Sequence, residues 1–186
     1  MDKVKGYLDA VNTLLGTVSH DDIRKVGDLL IDAYKNDKLV FVMGNGGSAA
    51  TASHFVCDLQ KGVRLESGRR FRVMSVTDHI PLITAWANDF GYSDIFAGQI
   101  APWIEAGDLV IGISGSGNSP NVIKGIELAE AKGAVTVGIS GFQGGKLAQA
   151  ANHNIIVHSE DMQHIEDVHM VISHLLFRYL LEEIAP

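Results

Sequence analysis

The sequence predicts an α/β fold: a doubly wound, five-stranded parallel sheet flanked by helices, with two further helices ahead of it. Three observations predict this. Five short apolar runs, several of them β-branched, alternate with longer stretches of helical periodicity, the pattern of a parallel sheet covered on both faces. Glycine clusters at Gly44–Gly47, Gly115–Gly117 and Gly141–Gly145 close three of those runs, where strand-to-helix turns belong. The 186 residues contain no linker and no low-complexity segment, so 1–186 reads as a single domain, with a helical pair at 1–36 and an α/β unit at 38–183.

The elements follow in order. Val4, Tyr7, Leu8, Val11, Leu14 and Leu15 repeat at helical spacing over 3–15. A second helix over 20–36 carries Ile23, Val26, Leu29, Leu30 and Tyr34 on one side, with Asp21 or Asp22 expected to cap it. Two amphipathic helices exceed what one sheet face needs. Core packing within the subunit and contact between subunits both account for them. Strands are expected at Leu39–Met43, Phe71–Val76, Leu109–Ser114, Val135–Ser140 and Asn154–His158, and a long last helix at Met162–Glu183. In such a sheet, ligands bind beyond the carboxyl ends of the strands.

Composition excludes several classes of function. The net charge is −7 and no basic run occurs, so nucleic acid is not an expected partner. A small phosphate ester is compatible, because backbone N–H groups hold one without bulk positive charge. Cys57 is the single cysteine, which rules out an intrachain disulfide and fits a reducing compartment. The first residues lack a signal peptide's apolar core, and no segment approaches the roughly 20 apolar residues of a membrane span. The expected location is the cytoplasm, with no membrane partner.

Two loops suit phosphate. After the first strand comes Gly44-Asn45-Gly46-Gly47-Ser48, where a helix beginning near Ser48 aims its free N–H groups at the turn. A tight turn with Ser48 as helix cap explains this loop equally well. After the third strand, Ser114-Gly115-Ser116-Gly117-Asn118-Ser119 places three serines just before Pro120, a residue suited to a helix's first turn. A Ser119 cap accounts for one serine, not three; hydroxyls with helix-end N–H groups bind a dianion without lysine. Neither loop matches GxxxxGK[ST] or GxGxxG, so no nucleotide cofactor is expected.

The titratable candidates lie on two helices. His54 and Asp58 share a face four residues apart. Glu166 and His169 are neighbours at three residues, with His174 eight beyond Glu166, about 12 Å along a helix axis. Each pair alone is more often a core histidine or a solvated helix pair than a site. Together, imidazoles and carboxylates suit a divalent metal or proton transfer.

These motifs carry a resemblance. GNGGSAA and ISGSGNSPN resemble the paired loops of the SIS (sugar isomerase) domain family; WANDFGY (Trp86–Tyr92) and GGKLA (Gly144–Ala148) are similar to its phosphoheptose isomerase branch. The resemblance covers about Lys38 to Leu181 and implies aldose–ketose isomerisation of a phosphosugar, sedoheptulose 7-phosphate foremost. It further implies a homotetramer with sites between chains. By it, Ser114, Gly115, Ser116 and Ser119 take the phosphate, and Asn45, Gly46, Gly47, Ser48 and Glu166 border the sugar. Asn88 and Asp89 stand at the site edge.

The resemblance also implies a metal, zinc foremost, at His54, Asp58, Glu166 and His174, with His169 in reserve. Proton transfer falls to Asp58 or Glu166 as base and His174 as acid. Asp58 stands where the family has Glu, Glu166 where it has Gln, and Thr51 where it has an acid. The family's arginine has no clear match, Arg64 being nearest. A non-catalytic SIS regulator, or an isomerase of another phosphosugar, stays open as an alternative.

Overall fold

A computed structural model describes residues 2–63 and 68–184. Helix α1 (Lys3–Leu15) opens with the Asp2 carboxylate accepting the Val4 N–H at 3.0 Å. It buries only Leu14 and leaves Val4 and Leu8 exposed. α2 (His20–Lys35) is capped by Ser19, whose hydroxyl accepts the Asp22 N–H at 3.2 Å. The expected caps Asp21 and Asp22 sit in its first turn instead, where their charges favour the positive end of the helix dipole.

Five strands follow: β1 (Val40–Gly44), β2 (Val73–Ser75), β3 (Leu109–Ser114), β4 (Val135–Gly141) and β5 (His153–Val157). All neighbouring pairs are parallel, in the order β2-β1-β3-β4-β5. Alternation of side chains splits the core into two layers. Leu109, Ile111 and Ile113 join the layer that includes residues of α2, of α3 (Gly47–Gly62) and of α8 (Met162–Ile184). Val110 joins the other layer, with residues of α5 (Ala97–Ile100), α6 (Pro120–Ala131) and α7 (Gly145–Ala150). The edge strand β2 is shorter than the apolar run around it. Phe71 is buried against the Tyr34 ring, 5.2 Å between centroids, and lies before the ladder begins. β5 is shifted one residue earlier than expected, so His158 leaves the strand and its Nδ1 faces the Phe142 carbonyl at 3.0 Å.

The order reverses direction at β1 and β3. The helices that follow them, α3 and α6, lie on opposite faces, so the two following loops diverge and open a crevice. Between β2 and β3 the chain also forms α4 (Ile80–Asp89) and a 3₁₀ turn at Tyr92–Asp94. Among the described residues, no helix is long and apolar enough to cross a membrane.

Candidate active site

The crevice holds a cavity of about 280 Å³, lined by Asn45–Ser48 from the first loop, Ile113–Ser116 and Ser119 from the second, and Met162 and Glu166 from α8. Gly46 makes the first turn with φ +53° and ψ −121°, a conformation that only glycine adopts readily. It occupies the N-cap position of α3, so the helix starts without a side-chain cap. Ser48, expected as that cap, instead lies buried inside the first turn. Ser119 stands at the N-cap position of α6, yet its hydroxyl pairs with Ser114 Oγ at 2.9 Å and caps no N–H. Two helix N-termini without side-chain caps thus converge on the cavity, each offering free N–H groups and positive partial charge.

The serine loop is braced from behind. Gly117 has φ +65°, and the Gly144 carbonyl lies against its α-carbon, where an added methyl group would collide with backbone. Its carbonyl accepts the Leu147 N–H at 2.8 Å, and Asn118 Oδ1 accepts the Lys146 N–H at 3.2 Å. Hence the GGKLA segment is a support for the serine loop.

Two positioning groups escaped sequence reasoning. Asn45 and Asn121 exchange reciprocal amide hydrogen bonds of 2.8 Å, and the Tyr92 hydroxyl donates to Asn45 Oδ1 at 3.0 Å. Asn121 is buried at 1% exposure, so this pair fixes how Asn45 faces the cavity. Both residues lie within the quoted motifs, which was the available signal. Asn88 and Asp89 end α4, bonded to each other at 2.7 Å, and do not line the cavity.

Helices α3 and α8 run side by side in the same direction. Gly47 lies against Glu166, His54 against His174, and Gly62 against Phe177. A methyl group at Gly47 would sit 2.6 Å from both Glu166 carboxylate oxygens, so the carboxylate rests over the first turn of α3. Farther along the seam, three ligand atoms converge. His54 Nε2 and His174 Nε2 are 3.1 Å apart, and Asp58 Oδ2 lies 3.4 Å from the first and 3.9 Å from the second.

These separations bracket the roughly 3.3–3.6 Å between ligands that a tetrahedral ion with 2.0–2.2 Å bonds requires. Two imidazole nitrogens 3.1 Å apart with a carboxylate oxygen beside them are a donor set that suits a divalent cation. The triad fits a metal. The histidines are half-exposed, 48% and 50%, so the cluster is open to solvent.

Glu166 is not part of this cluster. Its separation from His174 is the helical rise anticipated from the spacing, and the structure divides the expected quartet into a triad on the seam and a carboxylate in the cavity. His169, the reserve ligand, is turned into the core instead. It is 1% exposed with Nε2 3.1 Å from the Ser140 carbonyl oxygen. The other histidines of this region are dispersed: His164 stacks edge-on against Tyr7 at 4.6 Å, and His153 borders a separate cavity beside α2. Arg64 lies outside the described residues.

With this geometry in view, the SIS-domain family model matches residues 6–141. The chain belongs to the SIS-domain family. Within it, the chain is 38% identical to the phosphoheptose isomerase of Citrifermentans bemidjiense over 174 residues, 94% of this chain and 90% of that protein. It is also 38% identical to that of Fusobacterium nucleatum over 180 residues, 95% and 92% of the two. The solved phosphoheptose isomerase from Francisella tularensis superposes with a TM-score of 0.88 at 26% identity, covering 96% of each chain. The SIS fold therefore supplies the crevice, and the chain stands with the phosphoheptose isomerases of the family.

Proposed function

We propose that this protein is an aldose–ketose isomerase of sugar phosphates, acting on sedoheptulose 7-phosphate or a close analogue. The observation that carries the reading is the joining of a phosphate-suited serine loop to a His54–Asp58–His174 cluster along one seam. The serine hydroxyls and α6 N–H groups take the phosphate. Asn45, Ser48 and Glu166 meet the sugar hydroxyls. The cluster lies six residues beyond Ser48 and eight beyond Glu166, some 9–12 Å of helical rise. With C–C bonds of roughly 1.5 Å, an extended seven-carbon phosphate spans about 9–10 Å, which suits a heptose.

Asp58 acts as base, removing the proton from the carbon beside the carbonyl. His174, whose Nε2 is 3.9 Å from that carboxylate, returns a proton to the adjacent carbon from Nδ1–H, which leaves Nε2 for a cation, while the hydroxyl proton passes from the oxygen of the first carbon to that of the second. His54, Asp58 and His174 would hold the cation, zinc by preference, and when bound it would stabilise negative charge on the enediolate oxygen. Incubation with sedoheptulose 7-phosphate should yield the aldose 7-phosphate on sugar-phosphate chromatography. Tight binding without product would instead support a sugar-phosphate-sensing regulator.

The loop assignment has its own test. Ser116→Ala and Ser119→Ala should each weaken sugar-phosphate binding by about 1–3 kcal/mol, because a charged acceptor loses a donor. Calorimetry showing unchanged affinity in both would remove the serine loop from phosphate binding.

The same reading makes the chain one functional SIS unit in the cytoplasm, with Cys57 a free, exposed thiol. It also makes it a homotetramer. α1 buries a single residue in its own subunit while Val4, Leu8, Val171 and Leu175 stay exposed, apolar surface that a closed symmetric assembly would cover. Light scattering at micromolar concentration should give four times the chain mass; a monomer would contradict the assembly.

A further inference from the structure

We propose that His169 is a positioning residue: its hydrogen bond to the end of β4 sets the register of α8 on the sheet, and so the placement of Glu166 and His174 relative to the serine loop. This inference rests on the isomerase reading above. His169 belongs to neither the triad nor the cavity lining.

The chemistry of the ring is unusual for a core position. A ring nitrogen facing a carbonyl oxygen carries the hydrogen, so Nε2–H donates to Ser140 and Nδ1 is a bare acceptor. That Nδ1 is buried and has no hydrogen-bond partner. Burial pulls its pKa down to about 4 against the smaller raising effect of the Ser140 bond, so the ring is neutral at ordinary pH. A half-satisfied buried imidazole is costlier than an apolar side chain of similar size. Packing alone therefore does not account for it.

What the bond holds is specific. The Ser140 carbonyl belongs to the same peptide group as the Gly141 N–H, and that N–H donates to the Gly115 carbonyl at 2.9 Å. One peptide thus links α8 on one side to the serine loop on the other. Among the described residues, this is the only hydrogen bond between α8 and a strand. The remaining contact is apolar, through Ile165, Val168, Ile172 and Leu176. Apolar burial resists separation but is non-directional, so it fixes rotation and sliding poorly. Glu166 lies one turn before His169 and His174 five residues after it. A slip of α8 moves both groups together, and a misplacement of about 1 Å in reacting groups costs on the order of 100-fold in rate.

The test compares wild type, His169→Leu and His169→Gln, each well below its own melting temperature. The readouts are isomerase kinetics and calorimetric binding of sedoheptulose 7-phosphate. Leucine fills the space without the donor; glutamine restores an N–H at a similar reach. The expected result for His169→Leu is a kcat lower by about 10–100-fold and weakened sugar-phosphate binding, with His169→Gln recovering most of both. Wild-type kcat and affinity in folded His169→Leu, however far its melting temperature falls, would overturn the proposal. So would a folded His169→Gln as impaired as the leucine variant. Should His169→Leu fail to fold, His169→Gln decides alone, near-wild-type kinetics supporting the proposal and a leucine-sized loss overturning it. If the wild type turns over no sugar phosphate, the isomerase reading fails by itself. The positioning role is then judged on affinity, and equal affinity in all three proteins overturns it.

Discussion

His174→Ala is expected to lower kcat by roughly 10²–10⁴-fold, the range that general acid–base groups supply, while sugar-phosphate affinity changes little. The two effects should separate because the proposed phosphate loop and the proposed proton-transfer group sit in different places. Ser114, Ser116 and Ser119 line the cavity, whereas His174 stands beside His54 and Asp58. Loss of folding does not explain the expected drop. His174 is 50% exposed on a helix, and alanine is the strongest helix former, so stability should stay within about 0.5 kcal/mol. The same variant should hold metal less well, since one of three convergent ligands is gone. Full activity in His174→Ala would remove the histidine from the chemistry and with it the acid–base assignment.

Gly117→Ala should be the most damaging single methyl group in the serine loop. At φ +65° a side chain costs about 1–2 kcal/mol from local strain alone. The new methyl would also strike the Gly144 backbone, which cannot swing aside as a side-chain tip would. Separation of the two loops would break the bond from Leu147 N–H to the Gly117 carbonyl. A combined loss of about 2–4 kcal/mol in stability is expected, together with a sharp fall in sugar-phosphate affinity. Gly6→Ala is the matched control. Gly6 lies within α1 with no atom near its added methyl, so alanine there should stabilise by about 0.5–1 kcal/mol. Urea titration of both variants checks the contrast, and equal stability in Gly117→Ala and wild type would mean that the loop is not braced as described.

Most of the architecture was legible because periodicity reports burial directly. The helix expected over 3–15 is Lys3–Leu15, and the strand expected over Leu109–Ser114 has those bounds. Apolar runs report burial and not pairing, which is why Phe71 counted as strand but packs on Tyr34 outside the ladder. Caps were misassigned for a related reason. Asp21, Asp22 and Ser48 all belong to residue types that cap, and only backbone geometry distinguishes the N-cap from the first turn.

At the site, the residue types were legible in the sequence, and the resemblance grouped His54, Asp58 and His174 as the structure does, with Glu166 the member that falls outside. His54 and His174 meet because α3 and α8 run in parallel, a relation between elements 120 positions apart. Glu166 fell outside the triad because eight residues of unbroken helix cannot be bent back to one ion. His169 carried the same chemical label as His174, yet its side chain faces the sheet. Glu166 and His174 both lie against α3, at Gly47 and at His54, whereas His169 turns to the Ser140 carbonyl on β4. The Asn45–Asn121–Tyr92 network joins three segments whose polar residues each read as ordinary turn chemistry.

The most direct measurement of the central claim is turnover of sedoheptulose 7-phosphate in D₂O, followed by proton NMR of the recovered sugars. Proton transfer through an enediol predicts formation of the aldose 7-phosphate with deuterium at C2, and loss of that label and of turnover together in Asp58→Asn. Binding of the sugar phosphate with neither product nor deuterium at C1 or C2, in protein supplied with zinc, would contradict the isomerase account.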